Sequence, residues 1–213
     1  MQEDRNRGSY IGQAWLVILL AALYGVALAG VQSTLSGKIE QNKKAETYEV
    51  MPDLVPGAQP GLSEELTVMG KDGQEARLYR AVGAGGRQVG WLLPAGGQGF
   101  GDRIEILIGV DTQVSTITGL YVLEQKETPG LGDYITTDAF RQRFRNAPTD
   151  RPLVVVKTDP SQENEIRALS GATISSESVA AIVNRALANC GAPLRELAAQ
   201  ARPGRQGRVE STQ

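Results

Sequence analysis

Residues 13–30 read QAWLVILLAALYGVALAG, eighteen consecutive positions without a charged side chain. At a rise of about 1.5 Å per residue, a helix of that length reaches roughly 27 Å, close to the roughly 30 Å hydrocarbon layer of a bilayer. The run predicts a single transmembrane helix after a short flank, residues 1–12. A cleaved signal peptide competes with this reading, because Arg5 and Arg7 precede the run and Ala27-Leu28-Ala29 offers small residues for cleavage. A signal-peptide core usually spans about 7 to 15 residues, and this run is longer, which favours a retained anchor. Lys38, Lys43 and Lys44 follow the span as Arg5 and Arg7 precede it, so the positive-inside count does not fix the orientation. With no charged side chain inside the span, the chain alone is not expected to conduct ions.

Composition narrows the chemistry further. The 213 residues carry 22 Lys+Arg against 24 Asp+Glu, so the strong positive field that nucleic-acid binding draws on is missing. There is no histidine and only one cysteine. Ser-His-Asp and Cys-His catalysis and His- or Cys-ligated zinc are thereby excluded, and no metal site is expected. Cys190, at the end of an apolar helix pattern, is expected to pack rather than react.

Behind the span, residues 31–50 are polar with scattered apolar positions and are expected to form a helical stalk. A folded domain over 51–200 then follows, and 201–213 (ARPGRQGRVESTQ) is too poor in apolar residues to fold and is expected to be a disordered tail. Within the domain, strands are expected over 65–69 and 77–82, joined by the turn Gly70-Lys71-Asp72-Gly73, and over 88–93. The stretch 95–101 (AGGQGFG) reads as a loop where backbone comes close to something. Alternation of Ile104, Ile106, Ile108 and Val110 predicts a half-buried strand over 103–110, followed by another over 115–123. Residues 152–157 read as a short, central, Val-rich strand. Six or so strands make the sheet.

Thr137 can cap a short helix that sets Phe140 and Phe144 on one face. Ser175 or Ser176 can cap a longer one ending near Asn189, with Gly191 as its stop. Val179, Ile182, Val183, Ala186 and Leu187 give that helix the stripe of one packed on a sheet. The fold class expected is α+β: one transmembrane helix, then a mixed, mostly antiparallel sheet with flanking helices.

Ser170-Gly171-Ala172-Thr173-Ile174-Ser175-Ser176 leads into the longer helix. Small residues admit an anion to the backbone, and a helix start offers unpaired N–H groups and a positive dipole end. A plain capped loop has the same composition, so composition does not choose between the two. A second segment, Glu127-Thr128-Pro129-Gly130-Leu131-Gly132-Asp133, reads on residue type alone as a Pro-Gly turn feeding the Phe140 helix.

LSGATISS resembles the flavinylation motif of membrane flavoproteins in the Rnf electron-transport complex and in the sodium-pumping NADH:quinone oxidoreductase. In that motif the last Thr of Ser/Thr-Gly-Ala-Thr is esterified to the phosphate of FMN. ETPGLGD resembles a stretch of the Rnf G subunit, and together with the single span the likeness extends over nearly the whole chain up to about residue 200. The resemblance implies a flavoprotein component of an ion-translocating electron-transport complex, carrying electrons through FMN and not catalytic alone. Thr173 would be the attachment point, with Ser170, Gly171 and Ala172 around the phosphate. Glu127, Thr128, Gly130 and Leu131 would lie against the flavin. It also implies membrane and iron-sulfur partner subunits, a flavin transferase for maturation, and an inner-membrane location with the flavin domain on the extracytoplasmic side. The corresponding quinone-reductase component is the near alternative, disfavoured by ETPGLGD and the short length. A membrane-tethered binding module without covalent flavin is the distant one. Two positions depart from the family's pattern: Arg167 stands where Asp or Asn is common, and Gln125 where His is common.

Overall fold

The computed structural model describes residues 3–200, with side chains from Ala14 onward. The tail expected over 201–213 and the side chains of the flank expected over 1–12 lie outside the described residues. The chain divides after Ala45 into two units.

In the first unit, helix α1 (Glu3–Leu54) carries the apolar run. Leu19, Leu23 and Val26 are exposed along it, and by length and composition the helix can cross a membrane. No break separates the expected span from the expected stalk.

The second unit starts at Glu46, so the last turns of α1 belong to it. Its centre is a five-stranded antiparallel sheet in which each strand pairs with the next: β1 (Glu64–Met69), β2 (Glu75–Val82), β3 (Gln88–Gln98), β4 (Arg103–Val110) and β5 (Ile117–Glu124). Alternation sends successive side chains to opposite faces. Leu78, Trp91, Leu93, Ile104, Ile106 and Ile108 join one core with Val179, Ile182 and Val183 of the last helix. Tyr79, Leu92 and Leu107 join another with Met51, Leu54 and Val55.

β4 is therefore buried on both faces rather than half-buried, because the end of α1 covers the second one. The approach is close: a Cβ built on Gly109 would lie 2.6 Å from the Leu54 carbonyl oxygen, an atom fixed in the backbone. Gly109→Ala should lower the stability of this unit by about 1 to 3 kcal/mol, the usual cost of overpacking. A urea titration should show it as an earlier midpoint at unchanged slope.

Three expectations are corrected. The glycine-rich stretch 95–101 is mostly strand, since β3 continues to Gln98 with Gly96 opposite Glu105 and Gly97 opposite Ile104. A Cβ on Gly97 would lie 2.7 Å from Ile182 Cγ1, so the missing side chain is what lets the last helix lie on the sheet. The Val-rich run is not central. It forms the three-residue β6 (Val154–Val156), paired in parallel with β7 (Glu165–Arg167) in a separate small sheet. The last helix, α3 (Thr173–Gln200), runs past both Gly191 and Pro193. Proline deprives the carbonyl four residues back of its helical donor; that carbonyl, of Asn189, accepts the Lys71 N–H at 3.3 Å instead. Burial of Leu194 then continues the helix.

Between β5 and β6 lies α2 (Asp138–Arg141) with a 3-10 turn over Gln142–Phe144. Phe140 and Phe144 are fully buried there, their rings edge-on with centroids 5.4 Å apart. Thr137 precedes the helix without capping it, its hydroxyl donating to the Tyr134 carbonyl at 2.7 Å.

Candidate functional site

The first helical hydrogen bond of α3 runs from the Ser176 N–H to the Ala172 carbonyl, 3.1 Å. Ala172 is thus the cap position, and alanine has no side-chain oxygen with which to satisfy the first turn's N–H groups. The serines expected to cap instead lie one turn inside. Ser176 Oγ donates to the Ala172 carbonyl at 2.9 Å and accepts the Leu169 N–H at 3.0 Å, tying the preceding loop to the helix. Ser175 Oγ turns away to Glu127 Oε2, 2.5 Å. Gly171 closes the loop in the left-handed region, φ +79°, which a side chain would strain. Thr173, Ile174 and Ser175 therefore present a helix start without a side-chain cap, the arrangement that favours an anion.

Beside it is a pocket of about 320 Å³ lined by Phe100, Thr128, Leu131, Gly171, Thr173 and Ile174, among others. Phe100 (61%), Leu131 (46%) and Ile174 (54%) are exposed, so three large apolar side chains rim one concavity. Such a wall suits a flat ring with a polar edge, for which Thr128 supplies a hydroxyl.

Glu127 does not line the pocket. It is buried at 4% exposure, accepting the Gly101 N–H at 2.9 Å and the Ser175 hydroxyl. The carboxylate thus joins the three segments that do: the Phe100 loop, the 127–132 loop and the start of α3. Gln125 accepts the Glu127 N–H on its side-chain oxygen at 2.6 Å, so the position where an imidazole was absent braces the same loop.

Of the residues singled out in the sequence, Thr173, Gly171, Ala172, Thr128 and Leu131 come together around this pocket. Gly130 takes the positive-φ position of the turn behind it, at +76°, and Ser170 lies in a neighbouring cleft that Thr173 also reaches. Phe100, Gly132, Ile174 and Ser175 were missed. An aromatic side chain flanked by two glycines, Gly99 and Gly101, was the available signal for Phe100.

The sequence model of the FMN-binding domain matches residues 99–188, a stretch that begins at the Phe100 loop and takes in the Glu127 loop and the start of α3. The G subunit of the ion-translocating oxidoreductase complex of Methanosarcina acetivorans is 30% identical over 168 residues, covering 76% of this chain and 85% of that protein. The chain belongs to this G-subunit family. Another member, the G subunit of the proton-translocating ferredoxin:NAD(+) oxidoreductase complex of Clostridium ljungdahlii, is 28% identical across 88% of this chain and 95% of its own. Among solved structures, NqrC of Shewanella oneidensis superposes with a TM-score of 0.53 at 22% identity, over 67% of this chain and 72% of that one. This family member therefore shares its fold with NqrC, an antiparallel sheet domain closed by a carboxyl-terminal helix.

Proposed function

We propose that this chain is a membrane-anchored flavin subunit that relays electrons inside an ion-translocating oxidoreductase complex, with FMN joined through its phosphate to Thr173 Oγ1. The observation that carries the reading is the position of Thr173, first residue of α3, at a helix start without a side-chain cap and on the wall of an apolar pocket. The redox complexes to which the relatives belong support the electron-transfer role, and the apolar helix supports the anchor.

The residues fit the group. FMN is a flat, mostly apolar ring on a polar chain ending in an anion; the site offers an apolar concavity ending at N–H donors. Bound FMN supplies the redox chemistry, and the protein supplies orientation and local charge. Phe100, Leu131 and Ile174 would offer the ring an apolar surface, and the Thr128 hydroxyl would be available to its polar edge. Thr173 serves as an attachment point rather than as a catalyst, so no histidine is required. A covalent bond also removes the dependence of occupancy on free FMN, which matters where free cofactor is scarce. An unassisted threonine hydroxyl is a weak nucleophile, so attachment calls for a separate flavin transferase. The assembly has membrane and iron-sulfur subunits as partners, with ferredoxin and NAD(H) as the redox couples, and the domain faces the extracytoplasmic side of the inner membrane.

Intact mass of the native protein tests this: a gain equal to FMN minus water, localised to the peptide containing Thr173, is expected. The same peptide found bare in material from the native host would overturn the attachment. Ser170→Ala should keep partial flavinylation, since one donor near a phosphate contributes about 0.5 to 1.5 kcal/mol. Fluorescence of the denatured band reads the fraction retained, and complete loss would make Ser170 essential to attachment.

A further inference from the structure

Thr173 also lines a second cleft, of about 590 Å³, whose walls include Arg143, Lys157, Arg167 and Ser170. Three cationic side chains line it and no carboxylate does. Gathering like charges around one cavity is unfavourable unless an anion sits among them.

Their partners show how each is held. Arg143 is committed to the loop: its Nη1 donates to the carbonyls of Arg167 and Ala168 at 2.6 and 3.1 Å, and its Nε to that of Ala139 at 3.1 Å. Burial, and after it the Arg167 guanidinium, pulls Arg143 below its ordinary pKa, as expected of a partly buried cation beside another cation. Arg167 Nη1 meets Asp159 at 2.8 Å. A planar guanidinium has five N–H donors, so donors remain for a ligand. Lys157 is exposed and has no ion-pair partner among the described residues.

We propose that this cleft is the phosphate subsite of the flavin carried on Thr173, with Lys157 and Arg167 contacting the phosphoryl oxygens and Arg143 fixing the loop that presents them. The inference rests on the flavin reading of Thr173 and adds a division of labour: the apolar pocket takes the ring and the basic cleft takes the anion. Thr173 lines both, which is where a residue joined to the phosphate has to stand.

The test uses the full-length chain in detergent with Thr173 unmodified, titrated calorimetrically with inorganic phosphate, FMN and riboflavin. It is repeated on the flavin-loaded chain and on a Lys157→Ala/Arg167→Ala double variant, both positions being exposed and so outside the core. The unmodified parent should bind phosphate and prefer FMN to riboflavin by at least about tenfold, since a charge-assisted contact contributes about that factor. The double variant should lose that preference, and the flavin-loaded chain should no longer bind phosphate. Equal affinity for FMN and riboflavin would overturn the subsite, as would phosphate binding that persists in the double variant. Phosphate binding undiminished in the flavin-loaded chain would also overturn it, since the cleft would then hold some other anion. An FMN affinity no greater than that for phosphate, lost in the double variant, would keep the subsite and remove the ring pocket, which separates this inference from the reading it rests on.

Discussion

Thr173→Ala will yield a folded, membrane-inserted protein with no covalent flavin: the denatured band will be dark and the intact mass will equal that of the bare chain. Thr173 is half-buried at the first position of α3, where alanine is tolerated and no helical hydrogen bond is lost, because the first turn's N–H groups have no partner within the helix. The expected stability change is within about 0.5 kcal/mol, the range of substitutions away from packed features. Function and fold therefore separate cleanly at this residue. Thr173→Ser keeps the hydroxyl and should keep the flavin, which distinguishes a need for oxygen from a need for the threonine shape. A Thr173→Ala band as fluorescent as the parent would exclude this residue as the attachment point. The nearest hydroxyls are then the alternatives, and Ser175 and Ser176 are both buried with their oxygens in hydrogen bonds. Only Ser170 is exposed in the same loop.

Which parts of this molecule could be read from the sequence depended on whether the deciding contact was local. The β1–β2 and β4–β5 hairpins were legible because alternation and turn residues act within a dozen positions. The Phe140/Phe144 pair was legible for the same reason. β3 beyond Leu93 was not: Gly96 and Gly97 are poor strand residues in isolation, and only α3, about 85 residues later, explains why Gly97 lacks a side chain. The end of α3 was misread because Gly191 and Pro193 are stop signals in an isolated helix. The sheet beneath Leu194 and the Lys71 N–H on the Asn189 carbonyl override them. For the site, residue type located the loop before α3, yet even there the expected caps turned out to be internal residues. The letters of the 127–133 segment gave a Pro-Gly turn; contact with a flavin was what the family resemblance implied, and neither said which side chains turn outward.

Glu127 is where that difference has its largest consequence. Its carboxylate takes one proton donor from Gly101, 26 positions back, and one from Ser175, 48 positions on, so a single buried side chain closes the site from three directions. Glu127→Ala leaves the buried Ser175 hydroxyl unpaired, at about 1 to 3 kcal/mol, releases the exposed Gly101 N–H to water, and opens a void. A total of about 2 to 4 kcal/mol is expected, against the roughly 5 to 15 kcal/mol that holds an ordinary domain together. Glu127→Gln should cost far less, about 1 kcal/mol. The amide oxygen can still accept from Gly101, and the amide N–H can donate to Ser175 once that hydroxyl rotates. Unfolding by urea should rank parent, Gln and Ala in that order. Hydrogen exchange in the Ala variant should be fastest at residue 101 and the start of α3, with the β4–β5 ladder the least affected. Flavin content should follow exchange at those positions, because a pocket wall that opens cannot hold Phe100, Leu131 and Thr173 in one arrangement. If Gln proved as damaging as Ala, the negative charge itself would be what the site needs. If Ala unfolded at the parent's urea concentration, the three segments would be held by packing alone and Glu127 would not be the tie between them.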